Sequence, residues 1–496
     1  ILHDELGIND LDGLRAAAQE GRIRTVKGLS DKTEASILAG IASLETRSDR
    51  LLLGEAEEII NGLVAELSTV KGVTLVEPAG SYRRRQETIG DIDLLAETSE
   101  PERLVEHFAG LPGIERVLGA GGQKAAVVLA GGPQVDLMIM PPGEAGTYLI
   151  HFTGSRDHNI RLRGIARDRG WSLSEKGFLR VDADGTAVTP AELRTFPTEA
   201  EAYAFLELPY IEPELRQDRG EIEAAQAGRL PTLVRLKDLR GDLHSHSDWS
   251  DGVHSIEQMA EAARQRGHAY QVLTDHTRSL GIANGLTPDR VRMQRAIVAE
   301  LNARFAREEA AGSAPAATPA EGFRLLHGCE LEIRSDAGLD YDDDLLAQYD
   351  LVVASVHVGR SQPREQLTRR VLAGIHSPHV DVIAHPSGRK VQGRPDLDLD
   401  WDLIFAEAAR TGTALEMNGS DHRLDLNDQR ARRAVAAGCL VALDSDAHRI
   451  EEFRHLGWAV DQARRAWVEP ASVLNTRSRA DLLAWVQAKG ERLAAG

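Results

Sequence analysis

Two periodicities alternate along this chain, and the second becomes regular only past its midpoint. Over Gly54–Leu67 the apolar residues Ile59, Ile60, Leu63, Val64 and Leu67 recur at helical spacing, which predicts one buried helix face. Val73–Val76 reads as a strand, followed by a polar loop and a second strand at Ile92–Leu95. Pro101–Ala109 is predicted helical, and Ala125–Leu129 with Val135–Met140 predicts a hairpin. Residues 146–211 form a mixed, Arg-rich stretch. Residues 212–238 are charged, carry Pro213 and Pro231, lack a strand pattern, and are expected to be a linker. From Gly241 onward strand and helix patterns alternate, with strands at Tyr270–Thr274, Leu325–Ile333, Leu351–Val356, Val380–Ala384, Ala414–Met417 and Leu440–Leu443. That alternation predicts a parallel barrel with its site at the C-terminal ends of the strands. Residues 308–322, rich in Ala, Pro, Gly and Glu, predict a flexible insertion.

Residues 1–50 predict short helices. Val26-Lys27-Gly28-Leu29-Ser30 before the helical run Asp31–Gly40 has the form of a helix-hairpin-helix, whose Gly turn and helix N-terminus present N–H groups to a DNA phosphate. An αα corner with a Ser cap has the same local form.

Composition narrows the class. The 496 residues suffice for several domains, and 42% hydrophobic with 27% charged residues is the balance of a soluble folded chain. No apolar run approaches the roughly 18 residues of a membrane span, so no membrane partner is expected. Two cysteines, Cys329 and Cys439, give no disulfide framework, which points to the cytoplasm. A formal charge of −19 excludes a uniformly basic surface. Residues 151–180 reverse the balance with seven basic and three acidic groups, a net of +4, so a polyanion would be gripped there.

Two constellations carry chemistry. In the first, Gly80-Ser81-Tyr82-Arg83-Arg84 precedes Gly90-Asp91-Ile92-Asp93, and Asp136 opens an apolar strand. Asp91 and Asp93, two apart on a strand, share a face. Such carboxylates repel and need cations; Mg²⁺ or Mn²⁺ with a nucleotide triphosphate supplies that charge and suits phosphoryl transfer. Gly80 and Ser81 offer hydrogen bonds to phosphate oxygens, and Arg84 a bidentate fork. In the second, thirteen of the seventeen histidines lie beyond residue 240. His244, His246, Asp251, His276, Glu330, His357, His385, Asp446 and His448 sit at or just beyond the ends of apolar runs. One histidine so placed is usually structural; six, with a Glu and two Asp, predict a multi-metal phosphoesterase site.

The first constellation resembles the family X DNA polymerases, within the polymerase β-like nucleotidyltransferases. His151-Phe152-Thr153-Gly154-Ser155 is similar to that family's sugar-contacting segment, usually Tyr-Phe-Thr-Gly-Ser; His151 replaces the Tyr, and Arg156 a commoner Asp. The resemblance implies that Asp91, Asp93 and Asp136 are catalytic metal ligands and that Phe152 packs under the deoxyribose. It implies that backbone at Gly154 turns to clear the sugar, that Asn159 contacts the nascent base pair, and that Arg163 contacts the template side. The hairpin at Gly28 resembles the family's second such motif. The lyase domain with the first motif is not found in these residues, so no deoxyribose-phosphate lyase activity is expected.

Residues 241–480 resemble the PHP (polymerase and histidinol phosphatase) superfamily at all nine ligand positions. That resemblance implies a distorted (β/α)7 barrel with up to three Zn²⁺, Mn²⁺ or Fe²⁺ ions. His244, His246, Glu330 and Asp446 would hold one, Asp251, His276 and His448 a second, and Glu330 would bridge to a third with His357 and His385. Asp242 and Asp275 would orient imidazoles. Arg360, Arg389 and Lys390 follow ligand positions, and phosphate binding and solvated surface charge remain equal alternatives for them.

Together the two resemble bacterial and archaeal family X polymerases with a C-terminal PHP domain. The expected fold is α/β multidomain: helix-hairpin-helix fingers over 1–50, nucleotidyltransferase palm 51–145, thumb 146–211, linker 212–238 and PHP barrel 239–496. The implied function is a DNA-directed DNA polymerase for short gaps in repair, with a metal-dependent 3′–5′ exonuclease. Gapped or primer-template DNA and dNTPs are the implied partners, and the protein is expected to be a monomer in the cytoplasm, associated with the nucleoid. Two rivals are a polymerase joined to a small-molecule phosphatase barrel and a non-catalytic DNA-end scaffold.

Overall fold

The computed structural model describes residues 5–8, 11–26, 29–31, 33, 34, 37, 38 and 50–495. The chain divides into two compact units, Ile1–Leu51 and Leu52–Gly496. In the first, the helix Leu11–Gln19 buries Ala17 and Ala18 with Ile23 in a small apolar cluster. Gly28 and the turn expected to bind DNA lie outside the described residues.

The second unit opens with the helix Leu53–Leu67, which buries Ala56, Ile60 and Leu67. Val73–Pro78, Ile92–Thr98, Gln134–Met140, Lys124–Leu129 and Ile114–Gly121 pair in that order as a five-stranded sheet. Lys124–Leu129 and Gln134–Met140 form the predicted antiparallel hairpin. Ile92–Thr98 runs parallel to Gln134–Met140 with Asp93 opposite Asp136. The strand Ile114–Gly121 was not anticipated: almost all of it is exposed, so it carries no apolar alternation to read.

The helices Ala145–Thr153 and Arg156–Asp168 follow, then a three-stranded sheet and the helix Glu199–Phe205. Their core joins Leu162, Phe178 and Tyr203 to Ile211, Leu215, Ile222 and Leu233. Three of those last four lie in the expected linker. Residues 212–238 are therefore not a free tether. Their charges find partners far along the chain: Glu221 with His158 at 2.7 Å, Glu214 with Arg464 at 2.6 Å, and Arg216 with Glu199 at 2.6 Å. Arg216, Glu221 and Val234 are fully buried.

From Gly241 seven strands pair in sequence order, all parallel. A parallel bridge between Ser245 and Ala447, with His246 N–H donating to Ala447 O at 2.8 Å, brings the two edges together. Side chains alternate as a strand requires. Leu351 and Val353 pack with Val272, Val382 and the C-terminal residues Leu482 and Trp485. Val352, Ala354 and Val356 pack instead with Leu367, Val371 and Ile375 of the helix Arg364–Ile375. The insertion at 308–322 is pinned at both ends, Glu309 accepting from Phe323 N–H at 2.8 Å and pairing with Arg324 at 3.0 Å.

Candidate functional site

Two clusters of ligand-type side chains stand in separate parts of the second unit. In the first, Asp91, Asp93 and Asp136 bring carboxylate oxygens within 4.8 Å of one another. Adjacent parallel strands place Asp93 and Asp136 side by side. Burial, with Asp91 and Asp136 beside it, pushes the Asp93 carboxyl up to about 7, so the trio favours added positive charge. Gly80 packs directly behind: its φ is +57°, and a Cβ there would lie 2.0 Å from Asp93 Oδ2, so only glycine fits.

A cleft of about 370 Å³ opens beside the trio. It is lined by Gly80, Ser81, Arg84, Asp91, Asp93, His151, Phe152, Gly154, Arg156, Asn159 and Arg163. Gly90 stands outside this lining. Three buried polar atoms of the cleft residues make no hydrogen bond: Ser81 Oγ, Arg84 Nε and Asn159 Oδ1. Such orphans are costly unless a polar ligand answers them. Asn159 is aimed by its own donation to His151 O at 2.8 Å, and Ser155 caps the helix that carries it. Arg83 turns away, paired with buried Glu199 at 2.6 Å.

The second cluster fills the C-terminal mouth of the barrel. His244 Nε2 and His246 Nε2 lie 3.3 and 3.6 Å from Glu330 Oε2, and 3.5 and 3.2 Å from Asp446 Oδ1. Asp251 lies 3.4 Å from His276 Nε2 and 3.5 Å from His448 Nε2. Glu330 Oε1 faces His385 Nε2 at 2.8 Å and His357 Nε2 at 3.3 Å. Eight of the nine expected ligands thus meet in three overlapping groups that share Glu330, His246 and His276, and His385 joins them through Glu330 Oε1.

The fit to cations is direct. His244 Nε2, both ring nitrogens of His246 and His276 Nδ1 are buried without a hydrogen bond. Burial and the neighbouring His448 and His276 pull the His246 imidazole down to about 3, which keeps it neutral and able to ligate. Burial opposes ionisation of Glu330, but His276, His357 and His244 outweigh it and hold the carboxyl well below its usual range. Two of the expected ligands, His385 (φ +29°) and Asp446 (φ +54°), adopt positive-φ backbone conformations that are uncommon for non-glycine residues.

The DNA polymerase beta thumb family matches residues 148–217, and the PHP domain family matches 242–418. The "DNA polymerase/3′-5′ exonuclease PolX" of Bacillus subtilis (strain 168) is 36% identical over 98% of this chain and 81% of its own length. The chain belongs to the family X DNA polymerases that carry a PHP domain. A "Probable phosphatase" of Syntrophotalea carbinolica is 33% identical over 31% of this chain and 65% of its own length. A "Probable phosphatase" of Thermoanaerobacter sp. is 28% identical over 32% of the chain.

In this family X chain the carboxylates that orient imidazoles are not the expected ones. Asp242 accepts from Ser445 and from the His244 N–H, and Asp275 from Ser247, Ser250 and Gln294. Both brace loops. The imidazole partners are Glu416, 2.6 Å from His244 Nδ1, and Glu332, 2.8 Å from His357 Nδ1. Glu332 had a legible signal, lying two residues beyond Glu330 on one strand face. Glu416 had none beyond an acid inside an apolar strand. Arg389 is neither free for phosphate nor a solvated charge: it pairs with Glu87 at 3.0 Å and donates from Nε to Arg423 O at 2.9 Å. Arg360 and Lys390 belong to a cationic group with Arg394 and Arg423, and Arg423 lies 3.5 Å from Asp446. Burial, with Arg394 and Arg423 nearby, brings the Arg360 guanidinium down to about 10.

Proposed function

We propose that this enzyme fills short gaps during DNA repair and that its barrel trims the 3′ ends which the other half extends. It is a DNA polymerase and a 3′–5′ exonuclease, and both activities use divalent metal ions. In the polymerase half, Asp91, Asp93 and Asp136 hold Mg²⁺ or Mn²⁺. Gly80, Ser81 and Arg84 contact the triphosphate, with Gly90 setting the turn into Asp91. Phe152 and Gly154 accommodate the sugar beside His151, Asn159 reads the nascent pair, and Arg163 and the turn at Gly28 contact DNA. In the barrel, His244, His246, Glu330 and Asp446 hold one ion, Asp251, His276 and His448 a second, and Glu330, His357 and His385 a third. Imidazole with carboxylate suits Zn²⁺, Mn²⁺ or Fe²⁺.

Ions bound at these sites would supply positive charge to the phosphoryl group in flight and acidify water. The chain's own residues do the rest. Glu416 and Glu332 hold His244 and His357 in orientation. Arg360, Lys390, Arg394 and Arg423 attract phosphodiester backbone to the barrel mouth. The domains are 1–50, 51–145, 146–211 and 239–496, joined through 212–238, and the protein acts as a cytoplasmic, nucleoid-associated monomer.

The observation that carries this function is the pair of separate ligand clusters in one chain. Incubating the protein with gapped duplex DNA carrying a labelled primer, in Mg²⁺ and in Mn²⁺, tests it. Extension with dNTPs and 3′ shortening without them is expected. The likeness of the barrel to probable phosphatases favours a second reading, a small-molecule phosphatase. Faster hydrolysis of a free sugar phosphate than of a DNA 3′ end would select it.

A further inference from the structure

Residues 84–87 separate the Gly80-Ser81 turn from Asp91, and every one of them is held by the barrel. Arg465, only 4% exposed, donates from Nη1 to Arg84 O at 2.6 Å and from Nη2 to Gln86 Oε1 at 3.3 Å. Gln462 Nε2 donates to Arg85 O at 2.9 Å, and Asp461 pairs with Arg85 Nε at 3.4 Å. Arg389 Nη1 donates to Glu87 at 3.0 Å. Arg85 itself has a φ of +54°, a left-handed conformation that persists only when surrounding contacts enforce it.

We propose that the barrel helix His455–Arg465 positions the polymerase site, Arg465 and Gln462 fixing from behind the loop that aims Arg84 at the incoming triphosphate. This rests on the reading of Arg84 as a triphosphate contact. Arg84 enters the cleft beside Asp91 and Asp93, its Nη1 reaching Thr153 O and its Nε unanswered. With the carbonyl of residue 84 clamped, the guanidinium keeps one line of approach, and less ordering remains when the nucleotide binds. The helix also follows the strand Val441–Asp444 and the ligands Asp446 and His448. The last strand–helix unit of the barrel therefore bears metal ligands at one end and the polymerase loop at the other. Arg465, Gln462 and Asp461 are positioning residues; none lines the cleft.

Single-nucleotide insertion kinetics and exonuclease rates on the full chain test this. Arg465→Met removes the donors while Asp428 keeps Arg219 at 2.7 Å. It should raise KM for dNTP about tenfold, the cost of one lost positioned hydrogen bond, with kcat little changed and the exonuclease rate unaltered. Arg465→Lys should recover part of the loss. In an Arg84→Ala background, Arg465→Met should add nothing, because both act through one side chain. An unchanged KM in folded Arg465→Met, an additive double variant, or exonuclease loss in parallel would overturn the proposal and reduce the contact to packing. Should Arg465→Met fail to fold, Gln462→Ala decides: a KM raised about threefold supports the brace, and an unchanged one overturns it. An unchanged KM in Arg84→Ala alone would overturn the triphosphate reading instead.

Discussion

Replacing Glu416 with Gln perturbs the candidate metal centre without replacing any of its expected ligands. Glu416 is fully buried, and its carboxylate accepts from three donors. His244 Nδ1 lies 2.6 Å from Oε1, while the His385 N–H at 2.5 Å and Asn418 Nδ2 at 3.2 Å meet Oε2. A carboxylate satisfies all three; an amide cannot. With its NH2 at the Oε2 position, Gln faces two donors. With the NH2 at Oε1, His244 must give up the proton on Nδ1 and carry it on Nε2, the nitrogen that faces Glu330 and Asp446. Either arrangement loses a charge-assisted hydrogen bond worth about 1.5–3 kcal/mol. At 1.4 kcal/mol per decade, metal affinity should fall about 10–100-fold. Chelator-stripped protein titrated with Zn²⁺ or Mn²⁺ by calorimetry reads this directly, with circular dichroism as the check on folding. A folded variant binding metal within about twofold of wild type would refute the orienting role of Glu416.

Three further outcomes are expected. Gly80→Ala places a methyl 2.0 Å from Asp93 Oδ2 in a left-handed conformation and should nearly abolish nucleotide insertion; an insertion rate near wild type would contradict the close packing. Glu199, buried between Arg83 and Arg216, is held down to about 2, so its stabilisation is complete above pH 4.5 and is lost as pH falls toward 2. Glu199→Gln should thus cost about 3 kcal/mol at pH 7, with the gap in denaturant midpoint closing over that window. Arg163→Ala, on the half-buried face of the cleft, should impair extension more than end-binding in parallel kinetic and gel-shift assays; equal losses would make it a general phosphate contact.

The barrel was legible because its strands are fully buried runs ending in ligand types, a signal repeated strand after strand. The nine candidate ligands stood out by the same placement, and Asp91 and Asp93 by their spacing with the Gly-Ser pair upstream. What escaped is what depends on partners remote in sequence. The charges of 212–238 look solvated until Glu221 meets His158 and Glu214 meets Arg464. Glu416 acts on His244 across 172 residues, and Arg389 reaches Glu87 across 302. Asp242 and Asp275 follow strand patterns like those of the orienting acids, yet hydroxyls and backbone N–H groups claim them first.

The claim that one chain holds two separable phosphoryl-transfer sites is tested most directly by comparing Asp91→Ala and Glu330→Ala on a single gapped duplex with a labelled primer, in the presence and absence of dNTPs. Asp91→Ala should lose extension and keep 3′ degradation. Glu330→Ala, stripped of the carboxylate that five imidazoles face within 3.6 Å, should lose degradation and keep extension. Loss of both activities in either variant, or retention of both, would contradict it.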